Sequence, residues 1–198
     1  MNYIQQAYKG KNEWYHWVIT IFLVFLGWQI IGVIPLAMAG AAKSKDMGEF
    51  LKFAENNFMT AGLDKNFLLF VIILMFFIGL IFLFIGVKYI HKRSITSLIT
   101  SRKKIDWKRF FYGFFVWGTL ALVFSYAAIL LSPEDYTWNF NATPFFILVA
   151  ISFLFLPFQT SFEELLFRGY FMQGLGVLSK NKLLPLILIS VFFCFLHI

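Results

Sequence analysis

The chain has 198 residues, of which 60% are hydrophobic, 21% aromatic and only 14% charged. Soluble globular domains carry about 25% charge, so an ordinary soluble domain is excluded, and the length suits one membrane domain, residues 1–198, without a second domain of usual size. The net charge of +7 is concentrated: eight Lys/Arg and one acid, Asp106, fall between Lys88 and Arg109, the pattern of a cytoplasmic loop beside anionic lipid rather than of a nucleic-acid partner.

Four long apolar spans follow one another, at about Trp17–Ala42, Phe67–Tyr89, Phe110–Leu131 and Pro144–Leu178, and a fifth begins at Leu183. Each of the four meets the ~20 residues a bilayer crossing requires, and backbone satisfaction in lipid makes them helices. The predicted fold is therefore all-α, a polytopic helix bundle of four full spans plus an incomplete fifth. The first span is too long for the apolar region of a signal peptide despite the small-residue stretch "LAMAGAA". Basic residues orient the bundle: the 88–109 loop and the N-terminus face the cytoplasm, and the 132–143 loop, with Glu134 and Asp135 and no Lys/Arg, faces outside. The loop from Arg93 holds Ile95, Leu98 and Ile99 at helical spacing, which predicts a short segment lying on the bilayer. The 28 phenylalanines read as lipid-facing bulk, and Cys194, the single cysteine, excludes an internal disulfide framework or a Cys-based metal site.

Three charges break the fourth span, in "SFEELLFRGYF" from Ser161. At mid-membrane each costs about 2.5–3.5 kcal/mol on an insertion scale. Glu164 and Arg168 are four apart with the acid first, the favoured order for a helical ion pair. Glu163 lies about 100° around the helix, without a partner in its own helix on this reading. His197 is 17 residues beyond Lys180, as Glu163 is 17 before it, so a hairpin turning there brings both to one depth, roughly 25 Å along the helix. Gly169, Gly174 and Gly176 allow a neighbouring helix to approach closely. Pro157 predicts a break, either with Ser161 capping a restarted helix and Glu164 completing a capping box, or as a kink in a continuous helix. Carboxylates with a histidine can activate water, an intramembrane acid suits a transporter equally well, and a Glu–Arg pair or a lone His can be purely structural. These residues alone leave enzyme and transporter level.

The motifs themselves resemble those of a known family. "EELLFR", Glu163 to Arg168, reads EExxxR, and "FCFLH", Phe193 to His197, reads FxxxH. On consecutive helices in this order they resemble the CPBP family of intramembrane proteases, which includes the CAAX prenyl endopeptidases and bacterial relatives tied to bacteriocin processing and self-immunity. The resemblance covers the motif-bearing part, 144–198. It implies that Glu163 activates the attacking water and that His197 holds this water or a metal ion. Glu163 and His197 are the implied metal ligands and zinc the implied metal, a metal-free glutamate mechanism being the alternative. It also implies that Glu164 and Arg168 organise the site and that Phe193 packs against it. The implied partners are the bilayer and a membrane-associated peptide or protein substrate. The family pattern continues into a later helix with a second histidine and an Asn or Asp; this sequence stops at Ile198, which predicts a C-terminally truncated, impaired piece of a longer protease. The rival expectations are a non-enzymatic bacteriocin-immunity or scaffold protein and a transporter fragment.

Overall fold

The computed structural model describes residues 3–181 and 183–195. Every regular element among the described residues is helical. Four helices are long and apolar enough to cross a membrane, Trp14–Ala41, Lys65–Ile90, Trp107–Leu131 and Ala142–Leu178, followed by the shorter apolar helix Leu183–Phe195. The all-α expectation holds, with span ends within three residues of those read from hydropathy. A short 3₁₀ helix, Ile4–Lys9, precedes the first span.

Local chemistry sets the helix starts. Asp64 accepts from the Phe67 N–H at 3.0 Å and Asp106 from the Arg109 N–H at 3.3 Å, each capping a span. Between the first two spans Asp46 caps a helix the hydropathy reading did not anticipate, Met47–Glu55. There the Glu49 carboxylate reaches back to the Lys45 N–H at 2.7 Å while its own N–H donates to Asp46 at 2.8 Å, so two orphan donors at the helix start are satisfied reciprocally.

The core lies where the first, second and fourth spans meet, around Trp17, Val24, Leu80, Leu83, Phe162 and Tyr170. Phe162 is wedged against Trp28 at 5.3 Å and Phe76 at 6.0 Å between ring centroids. Gly79 makes room for it, since a Cβ there would stand 2.8 Å from the Phe162 ring. These three spans also contain wide, π-helical turns, Leu26–Ile31, Gly86–Ile90 and Leu165–Phe171. Such turns are rare and recur at functional positions.

The third span is different. It has no buried residue and faces the fourth across an apolar groove of about 640 Å³, lined by Phe110, Phe114, Phe153, Leu156, Pro157 and Thr160. Its phenylalanines are exposed, as lipid-facing bulk requires. Phe58, Phe162 and Phe167, by contrast, belong to the interior.

One open alternative is decided and one expectation is corrected. The fourth span bends at Phe155, and Pro157 sits in the first turn of the next segment, Leu156–Glu164, where a missing N–H costs little. Ser161 is therefore inside a helix and does not cap one, and the kinked continuous helix is what forms. The loop after the second span does not lie on the bilayer throughout. Its short helix Thr96–Ile99 buries Ser97 and Leu98 against the fourth span, and Arg93 is buried beside it. Apolar side chains at helical spacing there have protein to cover them. Lys88 and Lys92 at its start and the later basic residues, Arg102 to Lys104 and Lys108 to Arg109, are exposed, and Arg93 is buried between them.

Candidate active site

The site is built by the middle of the fourth span. Phe162, buried against the first and second spans, fixes the rotation of Leu156–Glu164 and leaves Glu163 and Glu164 half-buried at its end. The next residues open into the wide turn Leu165–Phe171 before ordinary helix resumes at Met172. Across the start of this turn the Arg168 guanidinium meets the Glu164 carboxylate at 3.2 Å, so the predicted i,i+4 pair forms. Arg168 also lies over the Phe193 ring, 5.2 Å from its centroid, a cation–π contact. Phe193 in turn packs edge-on against Phe167 at 5.5 Å. The helix Leu183–Phe195 thus contributes an aromatic platform beneath the arginine.

Glu163 does have a partner in its own helix, contrary to the sequence reading. The Gln159 side-chain amide, one turn earlier, donates to its carboxylate at 3.3 Å. Gln159 is the residue that reading missed, and its i−4 spacing was the available signal. The structure brings Glu164, Arg168 and Phe193 together and sets Glu163 beside Gln159; His197 lies outside the described residues. Among the described residues no group of three His, Cys, Asp or Glu side chains converges. The donors in view are therefore carboxylates, short of the three protein ligands a catalytic zinc takes.

The three glycines of this span admit close neighbours, as expected of them, and those neighbours are helical. A Cβ on Gly174 would stand 2.8 Å from the Trp17 ring, and one on Gly176 2.5 Å from Ile4. One on Gly169 would meet Leu98 at 3.1 Å and the Tyr3 hydroxyl at 3.3 Å. The N-terminal segment, the first span and the loop after the second span thus close directly on the motif helix.

Where they close lies a second, buried polar group. Gln173 accepts from Arg93 at 2.6 Å and donates to the Ser97 and Tyr3 carbonyls at 2.9 and 3.2 Å. The Arg93 Nε and Nη2 find no hydrogen-bond acceptor among the described residues, and the face of Trp17 lies 5.6 Å away. Burial draws Arg93 down to about 10, which leaves it charged at neutral pH. Burial likewise pushes the Tyr3 phenol up to about 12; the Arg93 charge works against this shift and Glu164 adds to it. His91 bonds the Lys11 carbonyl through Nδ1 and the Tyr170 hydroxyl through Nε2, both at 2.8 Å. Burial pushes it down to about 4; the Lys11 carbonyl opposes the shift, and the charges of Arg93 and His16 add to it.

The fold and this acidic, arginine-paired site define an all-helical membrane protein with a polar motif halfway along a kinked span. Residues 141–198, which hold both sequence motifs, match the family described as Type II CAAX prenyl endopeptidase Rce1-like. The resemblance read from EExxxR and FxxxH is borne out over that segment. Over 204 aligned residues the chain is 28% identical to an uncharacterized protein of Bacillus subtilis (strain 168), YyaK, with 100% of this chain and 65% of that protein covered. The chain thus spans about two thirds of that relative's length. No solved structure matches it.

Proposed function

We propose that this chain carries the catalytic acid pair of an intramembrane endopeptidase. The observation that carries the reading is the unequal treatment of two adjacent carboxylates. Glu164 is paired with the Arg168 charge, whereas Glu163 accepts a hydrogen bond from the neutral Gln159 amide, and a carboxylate has further lone pairs with which to accept from a water molecule. Glu163 takes a proton from that water as its oxygen attacks the peptide carbonyl carbon. The tetrahedral oxyanion collapses, the C–N bond breaks, and the proton passes to the leaving amine. Glu164 and Arg168 organise the site. His197 completes it by holding the water; zinc, held by Glu163 and His197, would supply a Lewis acid at that position. The match of residues 141–198 supports a membrane-associated peptide substrate of the CAAX type, and the Lys/Arg of the 88–109 loop support a cytoplasmic position for that loop and the N-terminus.

The test uses the intact chain reconstituted in bilayers, with a farnesylated CAAX peptide and its unprenylated counterpart as probes. Cleavage that is abolished by Glu163→Gln is the expected result. No cleavage by the wild-type chain, or equal cleavage by Glu163→Gln, overturns the reading. A cellular phenotype that survives Glu163→Gln would place the protein among non-enzymatic membrane scaffolds.

A further inference from the structure

The wide turn Leu165–Phe171 is where the motif is most dependent on its surroundings. A π-helical turn is intrinsically less favourable than an α-helical one and survives as a single turn held by tertiary contacts. This one carries Arg168, and two residues later Tyr170, which is fully buried. The Tyr170 ring packs on Trp17 at 4.8 Å and edge-on to His91 at 5.5 Å. Its hydroxyl lies 2.8 Å from His91 Nε2 and 3.2 Å from the Trp17 carbonyl, with the Thr20 side chain also against it.

His91 is itself delivered by a wide turn, Gly86–Ile90, whose last bond runs from the His91 N–H to the Gly86 carbonyl at 3.1 Å. Lys11 then clamps it twice. The Lys11 N–H donates to the His91 carbonyl at 2.8 Å, and the Lys11 carbonyl faces ring Nδ1 at 2.8 Å. A carbonyl can only accept, so Nδ1 carries the proton, and the neutral ring then offers Nε2 as a bare acceptor. The single Tyr170 O–H proton then lies between two acceptors, His91 Nε2 at 2.8 Å and the Trp17 carbonyl at 3.2 Å, and the nearer one ties Tyr170 to the tautomer that Lys11 imposes.

We propose that Tyr170, oriented by His91, is a positioning residue for the EExxxR motif. Two wide turns on different spans are joined by one hydrogen bond, and that bond fixes the register in which Arg168 reaches Glu164. The proposal rests on the hydrolase reading for its kinetic consequence, but the register of the turn can be measured without it.

The experiment compares wild type, Tyr170→Phe, His91→Gln, their double variant and Val177→Ala. Val177→Ala is a stability-matched control, a buried substitution on the same span outside the site. On the reconstituted chain, Tyr170→Phe is expected to lower kcat about tenfold with KM within about twofold, and to raise amide exchange selectively across residues 165–171. His91→Gln, whose side-chain carbonyl can accept from Tyr170, is expected to retain more than about half of kcat. The double variant should be no worse than Tyr170→Phe alone, because both act through one bond. Val177→Ala should lower Tm without either change. Unchanged kcat or unchanged exchange in Tyr170→Phe, or effects of the two variants that multiply, overturns the proposal. If wild type cleaves nothing, the hydrolase reading fails by itself, and the exchange arm still decides: selective loss of protection across 165–171 supports the positioning role, and its absence overturns it.

Discussion

Within a few residues of one helix, the chain sets two polar groups in contrasting surroundings. Glu163 and Glu164 are half-buried and Arg168 is exposed, whereas Tyr170 and Gln173 are completely enclosed. The first group is held lightly, by an ion pair between side chains that are 46% and 58% exposed and by a 3.3 Å amide contact. The second is held from three directions, by the N-terminal segment, the first span and the loop after the second. Side chains left open to exchange partners cannot also bear the packing of the bundle. Here the two tasks are divided between neighbouring turns, one open and one closed.

Breaking each group should therefore give opposite signatures. The largest effect is expected from Glu163→Gln, a loss of about 10²–10⁴ in turnover, the range for removal of a general base, with less than about 1 kcal/mol lost in stability at this half-buried position; peptide cleavage and detergent unfolding read the two quantities. Gln173→Leu inverts the pattern. It leaves the buried Arg93 charge without its 2.6 Å partner and should cost about 3 kcal/mol in unfolding free energy.

The closed group should also respond to acid. Folded His91 lies at about 4, below the ~6.5 of an unfolded histidine, so the unfolded chain binds the proton first as pH falls. Its contribution is present above about pH 6.5 and is lost progressively toward pH 4, on the order of 3 kcal/mol in all. Unfolding measured across that window should show the decline, and His91→Gln should flatten it. The smallest effect is expected from Glu164→Gln, about 0.5 kcal/mol in stability, since an exposed i,i+4 pair contributes little. A larger value would mean that the open group also supports the fold.

Of the open group, the Glu164–Arg168 pair was read from the sequence because its contact is local, while the Gln159–Glu163 contact was passed over. Glu164 and Arg168 are one turn apart, and Gln159 to Glu163 repeats that spacing. The spans were legible because the bilayer demands length and hydropathy. The closed group left no such trace, since His91 and Tyr170 are 79 residues apart and no local pattern links them. Arg93 was misleading as well. In a run of basic residues after a span, every charge reads as solvated at the membrane surface, and only the fold shows that this one is enclosed. The three glycines did announce close packing, but a glycine names the approach and not the neighbour. The wide turns were equally silent, since an added residue in a helical turn changes no hydropathy.

The bond from Gln173 to the Tyr3 carbonyl spans 170 residues, nearly the full chain, and has a consequence for biogenesis. At about 5–20 residues per second of synthesis, roughly ten to thirty seconds separate the appearance of Tyr3 from that of its partner. Tyr3 is thus made well before the residue that seats it. Until the fourth span is inserted, Tyr3 and Ile4 lack the Gln173 and Gly176 neighbours that seat them, while Lys11 can already meet His91. That seating joins Tyr3 to the helix that follows the acid pair, so the segment before the first span settles only after the acid pair has been made.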